Sequence, residues 1–146
     1  MPRKNKKLPR HLLVIRTSAM GDVAMLPHAL RALKEAYPEV KVTVATKSLF
    51  HPFFEGLDVG FLDIETRRTH RGIRGAIRFA REAAELKIDA VADMHNVLRS
   101  KMVRAALHLR GIPVSVIHKG RIEKYMRLGR GSEGVKPLKH TVIRYC

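Results

Sequence analysis

The sequence has one cysteine, Cys146, which is also its last residue. No disulfide can form within the chain, which excludes the disulfide-stabilised scaffolds common among small secreted domains. A lone cysteine is typical of proteins from a reducing compartment. We therefore expect a cytoplasmic protein whose fold depends on a hydrophobic core.

Long hydrophobic runs are also missing. The basic segment at residues 1–10 resembles the start of a signal peptide, but the apolar run after it extends only from Leu12 to Ile15 before Arg16 interrupts it. This run is too short for export, and no stretch approaches the ~18 apolar residues of a membrane span. We interpret residues 1–10 as a basic N-terminal arm and expect any membrane contact to be peripheral.

Acidic residues are scarce relative to basic ones. The 146 residues include 29 Lys and Arg against 13 Asp and Glu, which gives a formal net charge of +16. Such an excess favours polyanionic partners, among them nucleic acid, anionic lipid headgroups and phosphorylated glycans. The hydrophobic fraction of 45% is that of a globular chain, and the length allows one domain.

Several motifs that would indicate a cofactor or a hydrolase are missing or misplaced. The eight histidines include no pair at helical i, i+4 spacing and there is no C-x-x-C, so we predict no metal site. There is no Walker A motif, and no G-x-S-x-G motif to make Ser18 or Ser100 a nucleophile. A literal G-x-G-x-x-G runs from Gly129 to Gly134, but Pro137 follows where a helix would be required, so we interpret it as a surface loop.

The pattern that is present alternates short apolar segments with helical ones. Strands are predicted at 12–15, 40–45, 59–64, 88–92 and 112–117, and helices at 26–37, 47–56, 72–86 and 97–109. Because Pro27 interrupts the first helical pattern, we expect a separate turn over 22–26. In the helix at 72–86, the periodicity places Ile73, Ile77, Ala80 and Ala84 on one side. The order predicts an α/β, Rossmann-like domain of three layers with a parallel sheet.

Beyond Ile117 the pattern weakens. A basic helix is predicted at 119–130 and the beginning of another at 138–145, which stops at Cys146 without a cap. We therefore expect the chain to end part-way through an element.

Ligands of such sheets bind beyond the carboxyl ends of the strands, which selects the loops at 17–22 and 93–100. Asp22 follows Gly21 at the start of a helix, where a carboxylate is a common N-cap. The same position also suits a general base that takes a proton from a sugar hydroxyl. The spacing alone favours the cap.

The second loop carries His95, Asn96, Arg99 and Ser100, which we expect to contact the same ligand. Alternatively, Asn96 or Ser100 caps the following helix.

An arginine cluster surrounds the third helix. For any one of these arginines a solvated face is the safer interpretation, but six with only Glu65 and Glu82 nearby exceed what solubility needs. Guanidinium groups bind phosphates and carboxylates in bidentate fashion, so an anionic ligand is expected here. The cluster consists of Arg67, Arg68, Arg71, Arg74, Arg78 and Arg81.

Residues 13–33, LVIRTSAMGDVAMLPHALRAL, resemble the opening of glycosyltransferase family 9, the ADP-heptose:lipopolysaccharide heptosyltransferases. The family begins with a strand, an arginine, a Ser-x-Met/Leu-Gly-Asp loop and a Leu-Pro in the following helix. Ala36-Tyr37-Pro38 and the segment from Asp93 to Ser100 also match, so that the resemblance covers most of residues 11–118.

This resemblance implies a GT-B fold of two domains, with residues 11–146 as the acceptor-side N-terminal domain and the C-terminal donor domain absent. Asp22 then aligns with the general base, Gly21 with a tight turn that exposes it, and Ser18 and Met20 with the same substrate-binding loop. The implied reaction is an inverting transfer from ADP-heptose or a similar sugar nucleotide, without metal or organic cofactor. The chain alone is expected to be inactive.

The implied acceptor is the inner core and lipid A of lipopolysaccharide, held by the basic surface at the inner leaflet of the membrane. Two alternatives remain: a small basic nucleic-acid-binding protein, and a non-catalytic domain that binds anionic glycans. No helix-turn-helix, zinc or RNP pattern supports the first, so no specific nucleic acid is expected. The missing donor domain makes the second realistic.

Overall fold

A computed structural model describes residues 8–65 and 67–116 as a parallel five-stranded sheet with helices on both faces. The strands are β1 (His11–Ile15), β2 (Lys41–Thr46), β3 (Gly60–Asp63), β4 (Ala90–Asp93) and β5 (Val114–Val116). The helices are α1 (Met20–Ala36), a 3₁₀ helix (Ser48–Phe54), α2 (Gly72–Glu85) and α3 (Leu98–His108). The predicted α/β, Rossmann-like class is confirmed.

The strand order is β3-β2-β1-β4-β5, so β1 lies at the centre and pairs with both β2 and β4. Its side chains alternate between two cores. Leu13 and Ile15 contribute to one core and Val14 to the other, as expected when helices cover both faces. The continuous apolar run at 12–15 therefore reflects burial on both sides.

Each core belongs to one layer of helices. α1 and the 3₁₀ helix cover one face of the sheet through Val23, Leu26 and Phe50. α2 and α3 pack against each other on the opposite face, where Phe79 and Leu107 are buried.

The apolar residues predicted to share one side of α2 are only partly buried: Ala80 lies in the core, whereas the two isoleucines do not. Ile73 and Ile77 are 69% and 48% exposed, whereas α2 is buried through Gly75, Ala76 and Phe79. Gly75 lets α2 approach the backbone of His70 closely, and Ala76 and Phe79 pack in the core between α2 and the sheet.

The separate turn expected over residues 22–26 is also wrong, because α1 is continuous from Met20 through Pro27. A proline in the eighth helical position removes the bond that its own N–H would make, and its ring crowds the carbonyl of Val23, four residues earlier. Pro27 is buried beside Leu26 and Leu30 in the core under α1, which helps to offset that loss.

Some predictions lie outside the described residues: most of the basic arm, the helices at 119–130 and 138–145, and the glycine motif at 129–134. Within the described part of the chain, no helix is both long and apolar enough to cross a membrane.

Candidate active site

The candidate site lies at the carboxyl edge of the sheet, where the chain changes direction across β1. After β1 the chain builds β2 and β3 on one side, and it then crosses to build β4 and β5 on the other. α1 leaves β1 on one face and α3 follows β4 on the opposite face. A crevice therefore opens between the loops after β1 and β4, the usual ligand position in this architecture.

Arg16, the residue directly after β1, connects these loops. Its side chain is only 4% exposed; Nη2 donates to Asp22 Oδ2 and Nη1 donates to the backbone carbonyl of Met94. Its backbone N–H donates to Ala45 O at 3.0 Å. A buried guanidinium requires such partners, so Arg16 fixes the positions of α1 and the loop after β4 together.

Asp22 is held by this ion pair on one side and is open on the other, since its side chain is 37% exposed. It is the third residue of α1, and the N-cap is Ala19, so the interpretation of Asp22 as the N-cap is wrong. A carboxylate in the first helical turn still interacts favourably with the helix dipole. The arrangement presents a fixed, partly accessible carboxylate at the mouth of the crevice.

Gly21 and Met20 also lie at this mouth. Gly21 is an exposed helical residue, and a Cβ on it would meet nothing within 4 Å. The tight turn predicted at Gly21 is therefore not observed. Met20, at the first helical position, is 59% exposed beside it, so the start of α1 is accessible to a ligand.

The loop after β4 is folded around Asp93, the last residue of that strand. Asp93 is completely buried, and its Oδ1 accepts the backbone N–H groups of His95 at 3.0 Å and Asn96 at 2.8 Å. Its Oδ2 lies 3.4 Å from Arg104 Nη1 of α3. This buried carboxylate sets the shape of the loop, and Asn96 adopts a left-handed conformation with φ of 45°.

His95 is the predicted ligand contact that bridges the two loops. It is buried, and its Nε2 lies 3.5 Å from Ser18 Oγ, the long limit of a hydrogen bond. Ser18 and His95 are thus brought together in the crevice, close to Arg16.

Ser100 has a structural role in the described geometry. Its Oγ accepts the N–H of Val97, the N-cap of α3, at 2.9 Å and donates to Val97 O at 3.0 Å. Of the two proposed caps, Ser100 makes the capping bond and Asn96 precedes the N-cap. Arg99 is half-buried and, with His95 and Ser100, lines a small cavity of about 30 Å³ between α2, α3 and the sheet.

Four of the six predicted arginines lie near the carboxyl edge of the sheet, whereas Arg78 and Arg81 lie one and two turns further along α2. Arg67 and Arg68 follow β3 and, with Lys47 from the end of β2, line an open groove of about 470 Å³. Arg71 is the N-cap of α2, and Arg74 lies in its first turn. These four arginines are exposed, and Lys47 is a further, half-buried cation that was not predicted as a site residue.

His70 anchors the segment that carries these arginines. Its buried ring accepts the N–H of Glu65 through Nδ1 at 3.1 Å, and its Nε2 lies 3.0 Å from Glu82 Oε2 of α2. Because Nδ1 accepts a bond, Nε2 carries the proton and donates to Glu82. A Cβ on Gly75 would lie 2.2 Å from the backbone carbon of His70, so glycine permits this close approach.

Arg16 and His70 were not predicted from the sequence as site residues. A signal existed for Arg16, since a charged residue that directly follows a buried central strand must lie at the ligand-binding edge. Nothing local identifies His70. Among residues 8–65 and 67–116, no group of three His, Cys, Asp or Glu side chains is arranged to hold a metal ion.

Solved structures of glycosyltransferases share this fold. A glycosyl transferase family 9 protein from Veillonella parvula superposes with a TM-score of 0.63 at 17% identity, covering 82% of this chain and 42% of that one. E. coli heptosyltransferase WaaC with ADP-2-deoxy-2-fluoro heptose gives 0.60 at 22% identity, over 92% and 45% of the two chains. E. coli ADP-heptose lps heptosyltransferase II gives 0.61 at 22%, over 92% and 38%.

These matches establish a glycosyltransferase-like fold and confirm the resemblance to family 9 at that level. The chain spans less than half the length of each of these structures. No protein-family model matches the sequence, and no curated protein sequence matches it either.

Proposed function

We propose that this chain is the acceptor-binding part of an inverting glycosyltransferase, which transfers a heptose-like sugar from a nucleotide-sugar such as ADP-heptose to the anionic core of lipopolysaccharide. One observation carries the proposal. The Asp22 carboxylate lies at the ligand-binding edge of a glycosyltransferase-like sheet, fixed by buried Arg16 and still open to solvent.

In this mechanism Asp22 is the general base. An acceptor hydroxyl attacks the anomeric carbon of the donor, and its proton passes to the Asp22 carboxylate. The new bond joins the acceptor oxygen to the anomeric carbon, while the bond from that carbon to the phosphate oxygen breaks. ADP leaves with the electron pair, and the configuration at the anomeric carbon inverts.

The acceptor is recognised by charge. Lys47, Arg67 and Arg68 line an open groove beside the crevice, with Arg71 and Arg74 on the adjoining turn of α2. Phosphates and sugar carboxylates suit guanidinium groups, which bind them through paired hydrogen bonds. Ser18, Met20 and His95 would contact the sugar that carries the reacting hydroxyl, and no step requires a metal or organic cofactor.

The donor would bind to residues outside this chain, which spans less than half of the solved glycosyltransferases. The 146-residue chain alone should therefore give no sugar transfer above the blank, because an open site neither holds the donor nor excludes water. Turnover by this chain alone would contradict the proposal of a shared site.

The decisive test is Asp22→Asn in a form of the protein joined to a heptosyltransferase donor domain. Turnover should fall ~10²–10⁴-fold, the usual effect of removing a general base. Affinity for phosphorylated core oligosaccharide should stay within about twofold, since the amide keeps the shape of the carboxylate. Glu35→Gln is the matched control, because Glu35 is an exposed carboxylate at the other end of α1.

Asp22→Asn also removes the countercharge of buried Arg16, so some loss of stability is expected and turnover must be measured well below the melting temperature. Unchanged turnover would reject Asp22 as the base. Acceptor binding with no transfer by the joined protein would instead favour a non-catalytic domain that binds anionic glycans.

A further inference from the structure

The two helical layers of this domain differ sharply in charge. The segments 71–87 and 98–110, which contain α2 and α3, hold seven exposed Lys or Arg residues and one exposed acidic residue, Glu85. The segments 20–37 and 47–58, which contain α1 and the 3₁₀ helix, hold one exposed basic residue, Arg31, and three exposed acidic ones. The basic excess of the described domain is therefore concentrated on one face.

Large apolar side chains are exposed among these cations. Ile73 and Ile77 are adjacent on α2 at i, i+4 spacing, and Arg81 continues the same row. On α3, Leu98 is 76% exposed and Lys101 lies one turn further along. Because α2 and α3 cover the same face of the sheet, their outward sides form one surface of mixed apolar and cationic character.

From this we infer that the outer surface of the α2–α3 layer docks on an anionic lipid bilayer. Exposed isoleucine and leucine beside arginine and lysine are what an interfacial helix presents, with the apolar groups among the lipid chains and the cations at the headgroups. The opposite layer also exposes apolar residues, including Leu49 and Phe53, but its exposed acidic residues outnumber its one exposed basic residue, Arg31. Charge complementarity therefore selects the α2–α3 layer.

Docking in this way would bring the crevice to the membrane. Helices in a parallel α/β sheet run opposite to the strands, so the first turns of α2 and α3, with Ile73 and Leu98, lie at the carboxyl edge that also carries Asp22. The site would then open beside the lipid surface. This orientation rests on the proposed function, whereas binding to the bilayer does not.

The test is co-sedimentation of the 146-residue chain with phosphatidylcholine vesicles that contain phosphatidylglycerol. The double variant Arg81→Glu/Lys101→Glu should lower the partition coefficient by more than tenfold, since each cation near an anionic surface contributes about fivefold. Arg31→Glu reverses one charge on the opposite layer and should change binding by less than twofold. Ile73→Ser/Ile77→Ser should lower binding by about tenfold at physiological salt, and Leu49→Ser should not.

Equal losses from Arg81→Glu/Lys101→Glu and Arg31→Glu, allowing for the number of charges, would show that net charge alone drives binding and would overturn the inference. Binding to duplex DNA as strong as to vesicles, charge for charge, would favour a nucleic-acid partner instead. Asp22→Asn should leave vesicle binding unchanged. Failure of the catalytic proposal and failure of this inference are therefore distinguishable, and circular dichroism confirms that each variant is folded.

Discussion

Both ends of the parallel sheet bury polar side chains, but they use them differently. At the amino end, His11 Nδ1 lies 2.9 Å from Leu86 O and its Nε2 lies 2.8 Å from Thr43 Oγ1. The Asp89 carboxylate accepts the N–H groups of Arg10 at 2.9 Å and His11 at 3.0 Å. These bonds connect β1 to β2 and to the segment before β4. Each of them joins two groups of the protein, so this network serves the stability of the fold.

At the carboxyl end, buried Arg16 and Asp93 also connect neighbouring segments through hydrogen bonds, but the groups that they position lie at the crevice. Arg16 holds Asp22 with more than a third of that side chain in solvent, and Asp93 shapes the loop that carries His95. The polar network at the amino end therefore stabilises the fold, whereas the buried residues of the network at the carboxyl end hold an accessible carboxylate in place. Substitutions at the two ends should therefore have different consequences.

The largest effect on stability is expected at the anchor of the arginine-bearing segment. Gly75→Ala would place a Cβ 2.2 Å from the backbone carbon of His70, which forces a backbone shift. We expect a loss of about 3 kcal/mol in the free energy of unfolding, the upper part of the range for overpacking. Chemical denaturation measures it.

Gly21→Ala is the matched control at the mouth of the crevice, because a Cβ there meets nothing within 4 Å. This change should leave stability unaltered or raise it by up to about 1 kcal/mol, as alanine favours helix. Equal effects of the two substitutions would mean that the contact of His70 with Gly75 does not constrain the fold.

The central strand β1 was predictable because it is buried on both faces and its residues 12–15 are all apolar, and β2 was predictable from its alternating, β-branched residues. Helix faces were harder. Residues 73, 77, 80 and 84 of α2 form an apolar row, but so do 76, 79, 80 and 83, and the pattern alone does not choose. Packing against the sheet and α3 selects the second row, whose four residues all lie in the buried core.

The position of the site could be predicted from the sequence, but the hydrogen bonds that hold its residues could not. The loop positions follow from the sheet topology, and Asp22 was found from its position and from the family resemblance. Arg16 and His70 were missed because a buried polar residue is recognised by its partners, and those partners are distant in sequence. Met94 O is 78 positions from Arg16, and no local pattern carries that information.

The next effect concerns pH and belongs to the amino end. Burial lowers the pKa of His11, with the nearby Lys41 acting in the same direction, while the bond to Leu86 O and the charge of Asp89 oppose them. As the pH falls, His11 of the unfolded chain is therefore protonated near pH 6.5, and His11 of the folded chain only at a lower pH. The contribution of His11 to the free energy of unfolding is fully present above pH 6.5 and is lost as the pH falls through the pKa of the folded state.

We expect the free energy of unfolding to decrease by at most about 1.4 kcal/mol per pH unit below 6.5 from this group. His11→Gln should remove that part of the slope, which urea denaturation at several pH values measures. Asp89 affects stability in a lower pH range. Burial alone would raise its pKa, but the bonds from Arg10 and His11 lower it below 3.8, so its contribution disappears only at more acidic pH. Parallel pH curves for the parent and His11→Gln would contradict the role assigned to His11.

The smallest effect on stability, and the sharpest contrast between the two ends, is expected from the exposed cations. Arg71→Glu/Arg74→Glu reverses two charges at the carboxyl end of the α2–α3 layer, and Lys87→Glu/Arg110→Glu reverses two at its amino end. All four side chains are exposed, so each pair should change the free energy of unfolding by less than about 0.5 kcal/mol per residue.

Binding should distinguish the pairs where stability does not. Isothermal titration of phosphorylated core oligosaccharide should show a loss of affinity of at least about tenfold for the Arg71 and Arg74 pair, and much less for the Lys87 and Arg110 pair, because only the first adjoins the groove. Raising the salt from low to physiological concentration should weaken binding by the parent, since it shortens the Debye length to ~8 Å, and should affect the Arg71 and Arg74 pair least. Equal losses of affinity from both pairs would mean that the ligand responds to total charge, and would contradict the assignment of the binding site to the carboxyl end.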